Sequence, residues 1–190
     1  MTTTGKIELM APAGNFESLQ AALDNGADSI YFGVEQLNMR ARASINFTLD
    51  DLKEISERCK AKNVRTYLTL NTIIYDHDLT IVKTLLQKAK DADITAVIAM
   101  DQAVIASARA IGMEVHISTQ INITNIETAK FYAMFADTMV LSRELSLRQV
   151  KKITEQIVKD DVRGPSGNLV EIEIFATNAA LTSFTSVGRA

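Results

Sequence analysis

Short runs rich in branched and aromatic residues alternate along this chain with stretches whose apolar residues return at helical spacing. The first run, residues 7–11, ends in Pro12-Ala13-Gly14 and passes into NFESLQAALDNG, where Asn15 suits a helix N-cap and Gly26 a stop. A second run, SIYFGV (29–34), leads into a longer connection over 35–47, after which Thr48 can cap a helix carrying Leu49, Leu52, Ile55 and Cys59. The third, VRTYLTLN (64–71), precedes a helix that opens at His77-Asp78 and runs through Lys90 on a stripe of Leu79, Val82, Leu85 and Leu86. The fourth, 96–100, is apolar throughout, as a parallel strand covered on both faces requires. Asp101 follows it and can cap a helix over 102–110.

The fifth run opens EVHISTQINITN (114–125). Read as a strand, it puts His116, Ser118 and Gln120 on one face and Val115, Ile117 and Thr119 on the other. Asn125 then caps IETAKFYAMF, a sixth run (138–141) ends in Ser142-Arg143-Glu144, and Ser146 caps LRQVKKITEQIV. A polar loop (159–168) leads to the seventh run, 169–175. The pattern is that of seven successive βα units, with polar residues repeatedly ending a strand just before a helix, where parallel α/β folds bind ligands. No G-x-G-x-x-G follows the first strand, and the polar ends do not gather at one switch point, so the expected fold is a TIM-barrel-like parallel (β/α) barrel. It is expected to be incomplete, with a barrel domain over 1–175 and an unassigned tail over 176–190. An open barrel edge needs covering, and a homo-oligomer, a swapped element or further chain would serve.

Composition narrows the function classes. The 190 residues carry a net charge of −3, which is no footprint for a dedicated phosphate-backbone binder. The single cysteine, Cys59, excludes an intrachain disulfide or a thiolate metal cluster built from this chain alone, and the only histidines, His77 and His116, lack ligand spacing, so no metal site is expected. No apolar span is long enough for a bilayer and the polar N-terminus has no secretory core, so a cytoplasmic protein without membrane contact is expected.

The candidate chemistry lies in Glu8, Asn71, Asp101, His116, Gln120, Arg143 and Glu144, with Arg40 and Arg42 from the long second connection. Gathered at one rim, Glu8, Arg40, Arg42, Asn71, Gln120 and Arg143 would orient an anionic or polar substrate. His116, Glu144 and Asp101 are the acid–base candidates, though no catalytic residue is fixed. Each has a plainer reading: His116 as a hydrogen-bonded core residue, Asp101 as a helix cap, the arginine pair as solvated loop charge. No strand ends in a lysine suited to imine chemistry, which argues against an aldolase, and no G-x-S-x-G context surrounds Ser118 or Thr119.

The segments ELMAPAGNFESLQAALDNGADSIYFGV, LNMRARASINFTLDDL, VRTYLTLNTIIYDHDL, IAMDQAVI, EVHISTQINITN and VLSRELSLRQVKKI, in that order, resemble the N-terminal region of the collagenase-like peptidases of unassigned catalytic type. The resemblance spans about residues 7–175 and implies a barrel-like domain and a historical peptidase assignment. It also implies relatives that act as hydroxylation factors, in prephenate-dependent 5-hydroxyuridine formation in tRNA, in ribosomal RNA hydroxylation or in oxygen-independent ubiquinone hydroxylation. The partners it implies are tRNA or a small anionic substrate such as prephenate. Several such relatives hold an iron–sulfur cluster through four cysteines, which this chain could share only as part of a longer family member. Where the family has a His-Gly-Ala-Leu-Cys motif after the seventh strand, this chain has Thr177-Asn178-Ala179-Ala180-Leu181. The 190 residues alone are therefore expected to bind no cofactor and to be inactive; within a longer family member they are expected to form the barrel of a tRNA uridine hydroxylation factor, with a catalytically inert ligand- or partner-binding domain, or a true peptidase, as the alternatives.

Overall fold

The computed structural model describes residues 7–34 and 47–176, together with the backbone of 183–185. In chain order the elements are β1 (Glu8–Pro12), α1 (Phe16–Asp24), β2 (Ser29–Phe32), α2 (Leu52–Lys60), β3 (Arg65–Leu70), α3 (Leu79–Asp91), β4 (Ala96–Ala99), α4 (Gln102–Ala110), β5 (Glu114–Ile117), α5 (Ile126–Ala133), β6 (Thr138–Val140), α6 (Leu147–Lys159), β7 (Glu171–Phe175) and β8 (Ser183–Thr185). Strands β1 to β7 pair with their neighbours in sequence order and all run parallel, as the seven expected units require.

The seam left by seven parallel strands is bridged from the tail. β8 runs antiparallel to both β7 and β1, with Phe184 opposite Ile174 on one side and Leu9 on the other. Among the described residues there is no eighth parallel βα unit, yet the strands close as a ring. The edge that a homo-oligomer, a swapped element or further chain was expected to cover is occupied by β8, so the ladder itself gives no reason for a homo-oligomer.

Helix starts follow the chemistry of their first residues. Asn15 Oδ1 accepts the Ser18 N–H at 2.8 Å while Asn15 N–H donates to Ser18 Oγ at 3.1 Å, a reciprocal cap on α1. Asn125 accepts the Thr128 N–H at 3.0 Å, and Ser146 N–H donates to Gln149 Oε1 at 2.9 Å. The expected cap at Thr48 is displaced: its N–H and hydroxyl both donate to Asp51, forming a turn, and α2 begins only at Leu52.

Period-2 alternation divides the strands between two cores. Outward-facing Ile30, Phe32, Leu68, Leu70, Val97, Val115 and Ile117 pack under Leu19, Ile55, Leu86, Val104 and Ile105 of the helices. Inside the ring Met10, Tyr67, Ala96 and Ile98 form a small second cluster with Tyr31 against it. The lumen is filled by side chains, as in other small barrels, so access is confined to its two ends.

Candidate functional site

Parallel strands place all their C-terminal ends at one face of the ring, and the polar strand-end residues meet there. Asn71, one residue past β3, donates from Nδ2 to Gln120 Oε1 at 3.2 Å, reaching across the end of β4. The same Gln120 oxygen accepts the Ser118 hydroxyl. From β5 the contact passes to β6: Thr119 Oγ1 donates to the Leu141 carbonyl at 3.3 Å and Ser142 N–H to the Ile123 carbonyl at 3.0 Å. From β6 it passes to β7, where the Arg143 guanidinium lies 4.7 Å from the centroid of the Phe175 ring. Residues 49 positions apart in sequence are therefore direct partners, and an arc of polar contacts runs along the mouth from β3 to β6, ending where Arg143 lies over Phe175 of β7.

Gln120 belongs to this arc because the fifth strand is shorter than its sequence suggests. β5 ends at Ile117, and residues 119–121 form a 3₁₀ turn closed by Asn122 in the left-handed conformation, φ 56°. A turn lets Ser118 and Gln120 share the rim, while His116 stays inside. Asp101 lies at the mouth as a brace: Oδ1 accepts the Ala103 N–H at 2.8 Å, capping α4, and Oδ2 accepts the Ile74 N–H at 3.2 Å, tying down the β3–α3 loop. Arg143 and Glu144 are exposed at the end of β6. The Ser142 hydroxyl, assisted by the Glu144 backbone, holds the Glu144 carboxyl below the usual range.

Glu8 and His116 lie elsewhere, which corrects the expectation of one shared rim. Glu8 opens β1 and so sits at the opposite, N-terminal end, where it accepts the Tyr67 hydroxyl at 2.8 Å and pairs with Arg65. His116 is 2% exposed, its Nε2 3.1 Å from Glu114 Oε1 and its ring centroid 4.5 Å from that of Tyr67. Burial pushes the Tyr67 phenol well above the tyrosine range, and the opposing pull of the Arg65 guanidinium is weaker. Sequence reasoning missed Arg65, Tyr67, Glu114 and Glu173 as partners in this lumen network. The Glu171-Ile172-Glu173-Ile174 alternation in the seventh run was the available signal, since it sets two carboxylates on the face away from the helices. Arg40 and Arg42 lie outside the described residues.

A cleft of about 750 Å³ opens at the N-terminal end, lined by Arg65, Arg109, Glu114, Asp137, Arg163 and Glu171. Its arginines are already engaged: Arg65 with Glu8, Arg109 with the Phe135 carbonyl at 3.0 Å, Arg163 with Asp161 at 2.8 Å. Size alone does not make it the site, because barrels of this class carry their chemistry at the C-terminal face.

A four-cysteine iron–sulfur cluster does not fit these residues. Cys59 is the one cysteine of the chain, buried on α2, and burial pushes its thiol up to about 11. Among the described residues no group of three or more His, Cys, Asp and Glu side chains is arranged to hold a metal ion, and no helix is long and apolar enough to cross a membrane.

Fold and mouth together define a (β/α) barrel whose C-terminal mouth is lined by amides, hydroxyls and an arginine. More particularly, the chain belongs to peptidase family U32, whose model matches residues 14–186. It is similar to a Porphyromonas gingivalis protein named collagenase, with 52% identity over 172 residues, covering 90% of this chain and 42% of the relative. It is also similar to tRNA hydroxylation protein P of Helicobacter pylori, with 31% identity over 183 residues, covering 95% of this chain and 41% of the relative. A solved structure of a U32 peptidase superposes with a TM-score of 0.64 at 15% identity, covering 87% of this chain and 66% of that one. The chain spans about two fifths of the length of these two curated relatives.

Proposed function

We propose that this chain is the barrel part of an RNA-modification factor, acting in tRNA uridine hydroxylation, and that its C-terminal mouth binds the polar substrate. The observation that carries this reading is the half-buried Asn71–Gln120 amide pair, backed by the buried Ser118 hydroxyl, with the exposed Arg143 guanidinium further along the mouth, a set that presents amide donors and acceptors near one cation. Such a set matches the edge of a nucleobase or a small carboxylate of the prephenate kind. The likeness to tRNA hydroxylation protein P supports it. An RNA substrate accords with a cytoplasmic location. Cluster chemistry of the iron–sulfur type would have to come from cysteines beyond those of these 190 residues.

The second reading is a peptidase, favoured by the 52% identity to a protein named collagenase. Against it, neither described histidine is hydrogen-bonded to a serine or threonine: His116 meets Glu114 in the lumen and His77 meets Asp78 on a loop. In cells lacking the gene that encodes this chain, 5-hydroxyuridine in tRNA, read by mass spectrometry, is expected to fall. It should return with the wild-type gene but not with Gln120→Ala or Arg143→Ala. Unchanged tRNA together with peptide cleavage by the purified protein would overturn the RNA reading in favour of the peptidase.

A further inference from the structure

The loop from β3 to α3 carries two aromatic rings that the packing of the barrel does not use. Tyr75 is 61% exposed and the His77 side chain 79% exposed, yet their rings lie parallel, 1° apart in plane with centroids 5.7 Å apart. Exposed rings of this kind normally gain by folding back onto apolar surface. These are held out by the backbone beneath them. Asp78 Oδ2 accepts the Tyr75 N–H at 3.0 Å, its other oxygen stands 3.5 Å from His77 Nε2, and the Asp78 N–H returns to the Tyr75 carbonyl at 2.8 Å. One residue before Tyr75, the Ile74 N–H is fastened to Asp101. The pair is thus pre-ordered on the tied loop that begins at Asn71 of the polar arc, with Tyr75 four residues further on.

We infer that Tyr75 and His77 form a stacking platform for an unpaired nucleobase of a single-stranded RNA whose neighbouring nucleotide enters the mouth, an inference that rests on the RNA reading above. Flat, exposed, pre-oriented aromatic faces are what unstacked bases bind, and every base offers a π-face to them. The flanking Asp76 and Asp78 carboxylates and the net charge of −3 oppose a phosphate at this loop, so the attraction has to come from the ring faces. A base stacked on the rings loses no hydrogen bond that the loop already makes, because Asp78 and Asp101 hold backbone N–H groups behind them.

The test is photocrosslinking of the purified 190-residue chain to a single-stranded RNA oligonucleotide containing 5-iodouridine, with binding followed by fluorescence anisotropy. The expected crosslink falls in the tryptic peptide 66–83, at Tyr75 or His77. Tyr75→Ala and His77→Ala should each weaken binding by about 5- to 10-fold, at the lower end of base–aromatic stacking, while Tyr75→Phe stays near wild type. Both positions are exposed, so unchanged thermal melting should accompany the loss. RNA bound with wild-type affinity by both alanine variants, and crosslinked elsewhere, would overturn the platform and leave the RNA reading standing. No RNA binding by the wild-type chain would overturn both, and would leave the rings to a protein contact.

Discussion

At the residue scale, Glu8 is a carboxylate almost sealed in the lumen, and its charge is tolerable only because the Tyr67 hydroxyl and the Arg65 guanidinium both turn on it. Arg65→Ala is expected to cost about 2 kcal/mol, less than for a fully buried pair because Arg65 is half open to water. Chemical denaturation checks this, and adding Glu8→Gln to that variant should recover part of the loss, since the unpaired charge goes with it. Cys59 gives a pH dependence of opposite character to the usual carboxylate case. Its thiol is pushed up from 9.0 to about 11, so the unfolded chain gives up the proton first. Stability from this group is complete below pH 9 and is lost as pH rises towards 11, on the order of 2 kcal/mol. The stability difference between wild type and Cys59→Ala, followed by denaturation from pH 7 to 11, should shrink only above pH 9; a constant difference would contradict it. What sequence could say of single residues was uneven. Asn71, Gln120 and Arg143 were recognisable as strand-end groups, and the position of Glu8 at the start of the run 7–11 already marked it for the opposite end once the strands were read as parallel.

At the element scale, the mouth depends on loops held by short polar braces rather than on the strands themselves. Asp101 serves two elements at once, capping α4 and anchoring the β3–α3 loop at Ile74. Asp101→Ala should therefore cost about 1 kcal/mol, or roughly 2–4 °C in melting temperature for a domain of this size. Hydrogen exchange should speed up at the Ala103 and Ile74 amides together. Faster exchange at Ala103 alone would mean the loop is held by something else. The caps at Asn15, Asp101, Asn125 and Ser146 were legible in sequence because each places a short acceptor before an apolar stripe. The early end of β5 was not, since EVHISTQINITN keeps β-type residues through a segment that the left-handed Asn122 turns into a 3₁₀ turn.

At the scale of the whole molecule, closure of the ring rests on three residues of the tail. The seven parallel strands follow from the repeated alternation of β runs and helical stripes, but a strand of three residues between undistinguished neighbours carries no periodicity to read. Among the described residues β8 is the sole ladder partner of the otherwise open sides of β1 and β7. Ending the chain after residue 176 should therefore lower the melting temperature and produce concentration-dependent association in light scattering; a monomer with unchanged melting would contradict the bridging role. Among the described residues the same closure leaves the lumen open at its two ends, the polar C-terminal mouth and the charged N-terminal cleft. The most direct test of the mouth is a hydrogen-exchange footprint of a single-stranded RNA oligonucleotide on the purified chain. Protection at residues 71–78, 118–122 and 142–145 is the expected result. Protection confined to 109–114 and 163–171, around the opposite cleft, or no protection at all, would contradict it.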